Sequence, residues 1–162
     1  MPKTCSERAA PETTRVVLHG PTMGTRWSAT CELAPQIDAR ALQRDLAATV
    51  ERVDAQMSPW RSDSCLVQLN QAPVGAWFAP TTEMLQILAC ALDIGRLSQG
   101  AFDIGVGALV DAWGFGAARS APDASAIRAA RALAHGPAHE TLELDLHAGR
   151  ARKLAPLQID LC

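Results

Sequence analysis

Residues 100–116, reading GAFDIGVGALVDAWGFG, constrain this chain more than any other stretch. Five glycines are interleaved there with aromatic and acidic side chains. Glycine lets backbone approach a neighbour or a ligand closely, and it weakens any regular element that contains it. A long uninterrupted helix or strand is therefore excluded across the segment. Gly100 stops the helix that precedes it, and residues 106–113 are read as helical. Gly105-Val106-Gly107 supplies the first two positions of the dinucleotide-binding fingerprint, but the third falls on Val110 and no clear strand comes before it. A doubly wound nucleotide fold fails on both counts. No phosphate loop of the Gly-x-x-x-x-Gly-Lys kind occurs.

Helical and strand periods alternate around this segment. Residues 15–19 (RVVLH) form an apolar run broken by Gly20 and Pro21, and TMGTRWSATCEL then alternates over Thr25, Trp27, Ala29 and Cys31, the period of a strand. The two runs pair as a hairpin or form a bent edge. Asp38 caps a long helix whose Leu42, Leu46, Val50, Val53 and Met57 line one face. Ser58 and Pro59 end it, and SPWRSDS forms a loop carrying Trp60. Ser62 or Asp63 caps a short helix running to Asn70. Residues 71–79 are irregular. Thr81 or Thr82 opens the next helix, with Met84, Leu85, Leu88, Ala91, Leu92 and Gly95 as its apolar face.

Pro122 and Asp123 open a further helix with Ile127, Ala130 and Ala134 on one side, closed by Gly136 and Pro137. TLELDLH then alternates over Leu142, Leu144 and Leu146. Ala148 and Gly149 turn the chain back into ARKLA as an antiparallel partner. Leu157 to Leu161 reads as one more strand, ending at Cys162 with neither turn nor cap, which is read as truncation. Without a regular βαβ rhythm the class is α+β, helices packed on antiparallel sheet. The domain reading is a polar tail over residues 1–14 and part of one domain over residues 15–162.

Charge excludes several functions. The 162 residues carry 17 acidic and 15 basic side chains, a formal net charge of -2, with no basic tract to bind nucleic acid. No apolar run approaches the roughly 20 residues of a membrane span. The N-terminal residues lack the apolar core of a signal peptide, and Cys5 has too little chain before it to be a lipid-anchored cysteine. As written, the chain stays where it is made. The five cysteines are an odd number at wide spacing without Cys-x-x-Cys, so Cys65 and Cys90 are read as small buried or half-buried side chains. His135 and His139 have the spacing of helical zinc ligands, but Gly136 and Pro137 between them break the helix. His19 and His147 are read as strand-end or surface residues, and Trp113 as mostly buried.

Four segments taken in order, Met23-Gly24-Thr25, SPWRSDSCLVQLN, GAFDIGVGALVDAWGFG and LQIDLC, resemble the FAD:protein FMN transferases of the ApbE family. The resemblance runs over residues 21–162, matching the first part of the family's domain. It implies that FAD is the substrate, that its FMN half passes to a threonine hydroxyl of an acceptor protein with release of AMP, and that magnesium is required. It also implies an FAD-contacting role for Met23, an aromatic flavin-facing role for Trp60 where the family usually has tyrosine, an FAD-site element at Ala101, Phe102 and Asp103, and a place for Asp160 just before the metal site. Cys65 stands at a commonly acidic position, and Ile104-Gly105 replaces a more usual Pro-Thr. In the family the metal ligands and a phosphate-side lysine lie beyond the position matching Cys162, so the resemblance places no metal ligand in this chain. It commonly implies a periplasmic or membrane-anchored protein.

The residue types suit that chemistry. FAD presents an apolar ring system, a charged pyrophosphate and a polar adenosine. A site for it needs aromatic or thioether surface, small residues and a few aimed polar groups. Trp60, Met23 and Phe102 supply surface, Gly100, Gly105 and Gly107 allow close approach, and Asp103 and Asp160 accept hydrogen bonds. Two other readings stay open: a non-catalytic flavin-binding fragment, and a pyrophosphatase splitting FAD to FMN and AMP with water in place of threonine.

Overall fold

The computed structural model describes residues 12–116, 121–132 and 136–161. Cys5, Cys162, Ala134 and His135 lie outside them. The chain divides into two compact units, Met1–Glu51 and Arg52–Cys162.

In the first unit, β1 (Thr14–Thr22) and β2 (Thr25–Leu33) form an antiparallel hairpin, in register from Thr14 opposite Leu33 to Thr22 opposite Thr25. The hairpin reading thus holds over the bent edge. Only two residues connect the strands. Met23 has φ 40° and Gly24 φ 71°, so both are left-handed, as in the two-residue turns whose twist matches that of the flanking strands. Met23 therefore sits on the turn, not within the strand as the sequence alternation implied. A methionine in this region costs about 1–2 kcal/mol relative to ordinary backbone.

Helix α1 (Ala39–Met57) is capped by Asp38, whose Oδ1 accepts from the Arg40 amide at 2.9 Å. Its expected apolar face is only half-buried at Leu42, Leu46 and Val50, Val53 is exposed, and Met57 alone is buried.

The second unit holds the tighter core. Helix α2 (Cys65–Gln71) starts later than either expected cap, Ser62 or Asp63, would place it. Ser64 is the cap, accepting from the Val67 amide at 3.1 Å and donating to the Ser58 carbonyl at 2.7 Å. The Asp63 carboxylate is turned to Arg61, whose hydrogen bond is the main reason that Asp63 lies below the usual carboxylate range. Helix α3 (Thr82–Leu97) is capped by Thr81, and every residue of its expected apolar face is buried. A 3-10 turn (Ile104–Val106) leads into α4 (Gly107–Ala112). The helix stops one residue short of Trp113, and Gly114 follows at φ 82°, so the indole is 45% exposed instead of buried.

Helix α5 (Ala124–Ala132) has no buried residue and is held by Asp123, which accepts from the amides of Ser125 and Ala126. A single helical turn not foreseen in the sequence, α6 (Ala138–Thr141), takes Thr141 out of the expected strand. Strand β3 (Leu142–Asp145) then pairs antiparallel with β4 (Arg150–Lys153), and Phe78 adds a bridge through two 2.8 Å bonds to Ala151. The class is α+β, with small antiparallel sheets among helices.

Residues 157–161 are not a strand among the described residues. Among the described residues no strand pairs with them. Their backbone groups bond to the 3-10 region and to one side chain of α2 instead.

Candidate functional site

The segment around Gly107 shows why glycines recur here. The Gly107 amide donates to the Gln158 carbonyl at 3.0 Å, and a Cβ on Gly107 would stand 2.8 Å from that same oxygen. Only glycine lets these two backbones meet. At Gly105 a Cβ would come within 2.8 Å of Leu157 Cδ1. Gly100 differs: nothing lies within 4 Å of its would-be Cβ, and its φ of 81° makes it a chain reversal after α3, not the close-approach site that its place in the motif implied.

The close approach brings Asp160 beside Ile104, the Asp160 amide donating to the Ile104 carbonyl at 2.9 Å. Asp103 is adjacent. Its Oδ1 accepts from the Gly105 amide and, 35 residues along the chain, from the Ala138 amide, each at 2.9 Å. One carboxylate oxygen thus caps the 3-10 turn and ties it to α6.

A cavity of about 460 Å³ opens here, inside the range of roughly 300–1,000 Å³ typical of small-molecule sites. Phe102, Asp103 and Asp160 line it together. The rest of its lining is mainly apolar and includes Ile87, Cys90 and Ile94 of α3, with Val106 and Val110. Cys90, expected to be buried or half-buried, is exposed, because it lies on the side of α3 turned away from the core. Ala101 and Trp60 are not among the lining residues; Ala101 is exposed and Trp60 half-buried in the loop before α2, its amide bonded to Ser58 Oγ at 3.2 Å. Met23 belongs to the first unit. A second hollow of about 450 Å³, edged by Asp93, Arg96, His139 and Glu140, contains none of the sequence candidates.

The wall of α3 was missed in the sequence, although Ile87, Cys90 and Ile94 follow at steps of three and four and form a second stripe beside the core-facing one. Asn70 was missed as well. Its amide bonds both backbone groups of Ile159, 2.9 Å to the carbonyl and 2.8 Å from the N–H. Nothing local marked it, since the same short helix also carries Gln68 and Gln71.

No group of three or more His, Cys, Asp or Glu side chains among the described residues is placed to hold a metal ion. Asp103 and Asp160 alone do not amount to a magnesium site, since one Asp103 oxygen is already taken by two amides. No helix among the described residues is long and apolar enough to cross a membrane.

An α+β chain with an apolar cavity edged by two carboxylates and a glycine-built backbone crossing is the kind of scaffold that takes a flat, partly apolar ligand. The ApbE family model matches residues 23–162, and the chain belongs to that family. It is 38% identical over 127 residues to the FAD:protein FMN transferase of Klebsiella pneumoniae (strain 342), covering 76% of this chain and 36% of the relative. It is 33% identical over 165 residues to that of Salmonella typhimurium (strain LT2), covering 97% and 47%. Among solved structures, the flavin transferase ApbE from Vibrio cholerae superposes with a TM-score of 0.79 at 33% identity, over 93% of this chain and 48% of that one. Pseudomonas stutzeri flavinyl transferase ApbE in its apo form gives 0.75 at 29%, over 91% and 49%. The chain thus spans between a third and a half of the length of these relatives.

Proposed function

We propose that the protein is a FAD:protein FMN transferase, passing the FMN moiety of FAD to a threonine hydroxyl of an acceptor protein and releasing AMP in a magnesium-requiring reaction. The observation that carries this reading is the convergence of Phe102 and Asp103 with the sequence-distant Asp160 on one apolar cavity. In the transfer the threonine oxygen bonds to the phosphorus on the FMN side and the pyrophosphate bond breaks. AMP leaves with the bridging oxygen, and the hydroxyl proton passes to a base.

The described residues serve binding in this scheme. The α3 wall and Phe102 take apolar ring surface out of water. Two carboxylates repel a pyrophosphate, so Asp103, through its second oxygen, and Asp160 suit the neutral donors of FAD, ribose hydroxyls or the adenine amine. Ala101 and Trp60 lie outside the cavity lining and take their FAD-site roles from the resemblance alone. Met23, on the β1–β2 turn, takes its FAD contact from the resemblance alone. No ligand of magnesium is assigned to the described residues. A periplasmic or membrane-anchored setting follows the family's habit.

The test incubates the protein with FAD, magnesium and an acceptor bearing the target threonine, followed by in-gel flavin fluorescence and AMP measurement. A fluorescent acceptor band, lost when that threonine becomes valine, supports the reading. FMN released without acceptor labelling makes the protein a pyrophosphatase; FAD bound but unconsumed makes it a non-catalytic binder. Protection of Cys90 from alkylation by FAD, with Cys65 unaffected, checks that the cavity is where FAD sits.

A further inference from the structure

Residues 158–160 hang between two supports. On one side the Gln158 carbonyl accepts from the Gly107 amide and the Asp160 amide donates to the Ile104 carbonyl. On the other, both backbone groups of Ile159 bond to the Asn70 side chain, the carbonyl accepting from Nδ2 and the N–H donating to Oδ1. The directions alternate as in a strand, but the second partner is a single primary amide. Asparagine suits this place because its short side chain carries both a donor and an acceptor, which a peptide group also offers. Ile159 is 1% exposed, so without Asn70 its N–H and carbonyl would be buried with no protein partner.

Asn70 is itself held. It lies in the last turn of α2, where helix carbonyls have no partner within the helix. The Asn70 carbonyl accepts from Lys153 Nζ, a positive charge at the negative end of the helix. Lys153 is buried, and burial pushes its ammonium below the ordinary lysine range. No carboxylate among the described residues forms an ion pair with it. The lysine is thus committed to that carbonyl.

We propose that Asn70 is a positioning residue for the flavin cavity, fixing the register in which Asp160 lines it together with Phe102 and Asp103. The proposal rests on the flavin reading of the cavity and adds the group that sets its geometry. Ile159 is sealed in the core and Asp160 lines the cavity. Successive residues of such a segment face opposite ways, so a slip by one would bury the carboxylate and present the isoleucine. The Asn70 side chain bonds to the Ile159 backbone and is not part of the cavity lining, so it acts on ligand through Asp160 and not by touching it.

The experiment is a double-mutant cycle on FAD affinity, read by flavin fluorescence, using Asn70→Asp, Asp160→Asn and the double variant, with unfolding measured on each. Asn70→Asp keeps the acceptor for the Ile159 N–H and loses the donor to its carbonyl. Asn70→Ser, small enough to admit water, is the second variant should the aspartate prevent folding. Leu142→Ala, a core truncation outside the cavity lining, controls for general destabilisation.

With Asp160 intact, Asn70→Asp should weaken FAD binding on the order of tenfold, the size expected when a buried polar group loses its partner. In the Asp160→Asn background it should change affinity less than twofold, while the stability losses still add. Leu142→Ala should leave affinity within twofold. Additive losses of affinity, or an equal loss in Leu142→Ala, would reduce Asn70 to a structural residue and overturn the proposal. Wild-type protein that binds FAD and an Asn70→Asp variant that binds it equally would do the same. Wild-type protein that takes no FAD would instead overturn the flavin reading, and this role with it.

Discussion

Along one side of α3, Met84, Leu88 and Leu92 are sealed at 0–2% exposure; along the other, Ile87 and Ile94 stand 45% and 44% exposed and line the cavity. Both stripes have the helical period, and their residues are chemically alike. What separates them is what the tertiary structure sets opposite. The first stripe belongs to the core that includes Leu66 and Leu69 of α2; the second meets a hollow edged by carboxylates. Burial stabilises the fold at about 1.5–3 kcal/mol for each large apolar side chain sealed from water. The cavity stripe gives little of this in the free protein, and its apolar surface remains available to a ligand.

The largest contrast should come from truncating each stripe. Leu88→Ala is expected to cost about 2–5 kcal/mol of unfolding free energy in urea denaturation. Ile94→Ala should cost roughly 1 kcal/mol or less yet weaken FAD binding severalfold. Equal losses of stability would erase the distinction between the two faces.

Next comes the backbone crossing at the cavity edge. Gly107→Ala forces a methyl against the Gln158 carbonyl and should cost about 1–3 kcal/mol, with flavin affinity falling alongside. A variant as stable as the parent would show that the two backbones can part freely.

Asp103 sharpens the contrast further, because its carboxylate serves both fold and cavity. Asp103→Ala leaves the Gly105 and Ala138 amides without their acceptor, at about 1–3 kcal/mol for a buried group so exposed. Asp103→Asn keeps an oxygen for those amides and removes the charge, so its thermal midpoint should stay near wild type while FAD affinity drops. If alanine and asparagine destabilise alike, the tie to Ala138 does not hold α6.

The smallest effects are pH effects on the periphery and the core. Burial depresses Lys153, so the folded state binds that proton more weakly than the unfolded chain. Its destabilising contribution is constant well below the depressed value and is relieved as pH rises from there toward the ordinary 10.5, so stability should climb in that window. Lys153→Met should remove the climb. Asp123 is the opposite case, held below its ordinary 3.8 chiefly by the Ser125 side chain. Its support of α5 is present above 3.8 and lost as pH falls through the lowered value. Far-UV dichroism of Asp123→Ala at neutral pH should match the acid-frayed wild type over α5, a helix with no fully buried residue.

Much was legible in sequence because it is local. Thr81 and Asp38 as caps, the core stripe of α3 and the β1–β2 hairpin depend on neighbours within a few positions, and period and capping chemistry report them directly. Errors came where a local rule met a distant partner. Residues 157–161 have strand character but no strand among the described residues pairs with them, and Trp113 is exposed because α4 ends one residue early.

The sequence by itself also determined the family, since residues 100–116 carry its most specific pattern. Only the tertiary structure decided that Phe102, Asp103 and Asp160 share one hollow, that the second stripe of α3 forms its wall, and that Asn70 stands in for a missing strand. The reason is physical. A hydrogen bond spanning 89 residues, such as Asn70 to Ile159, is selected by the whole packing of the unit, and no local period or propensity encodes it.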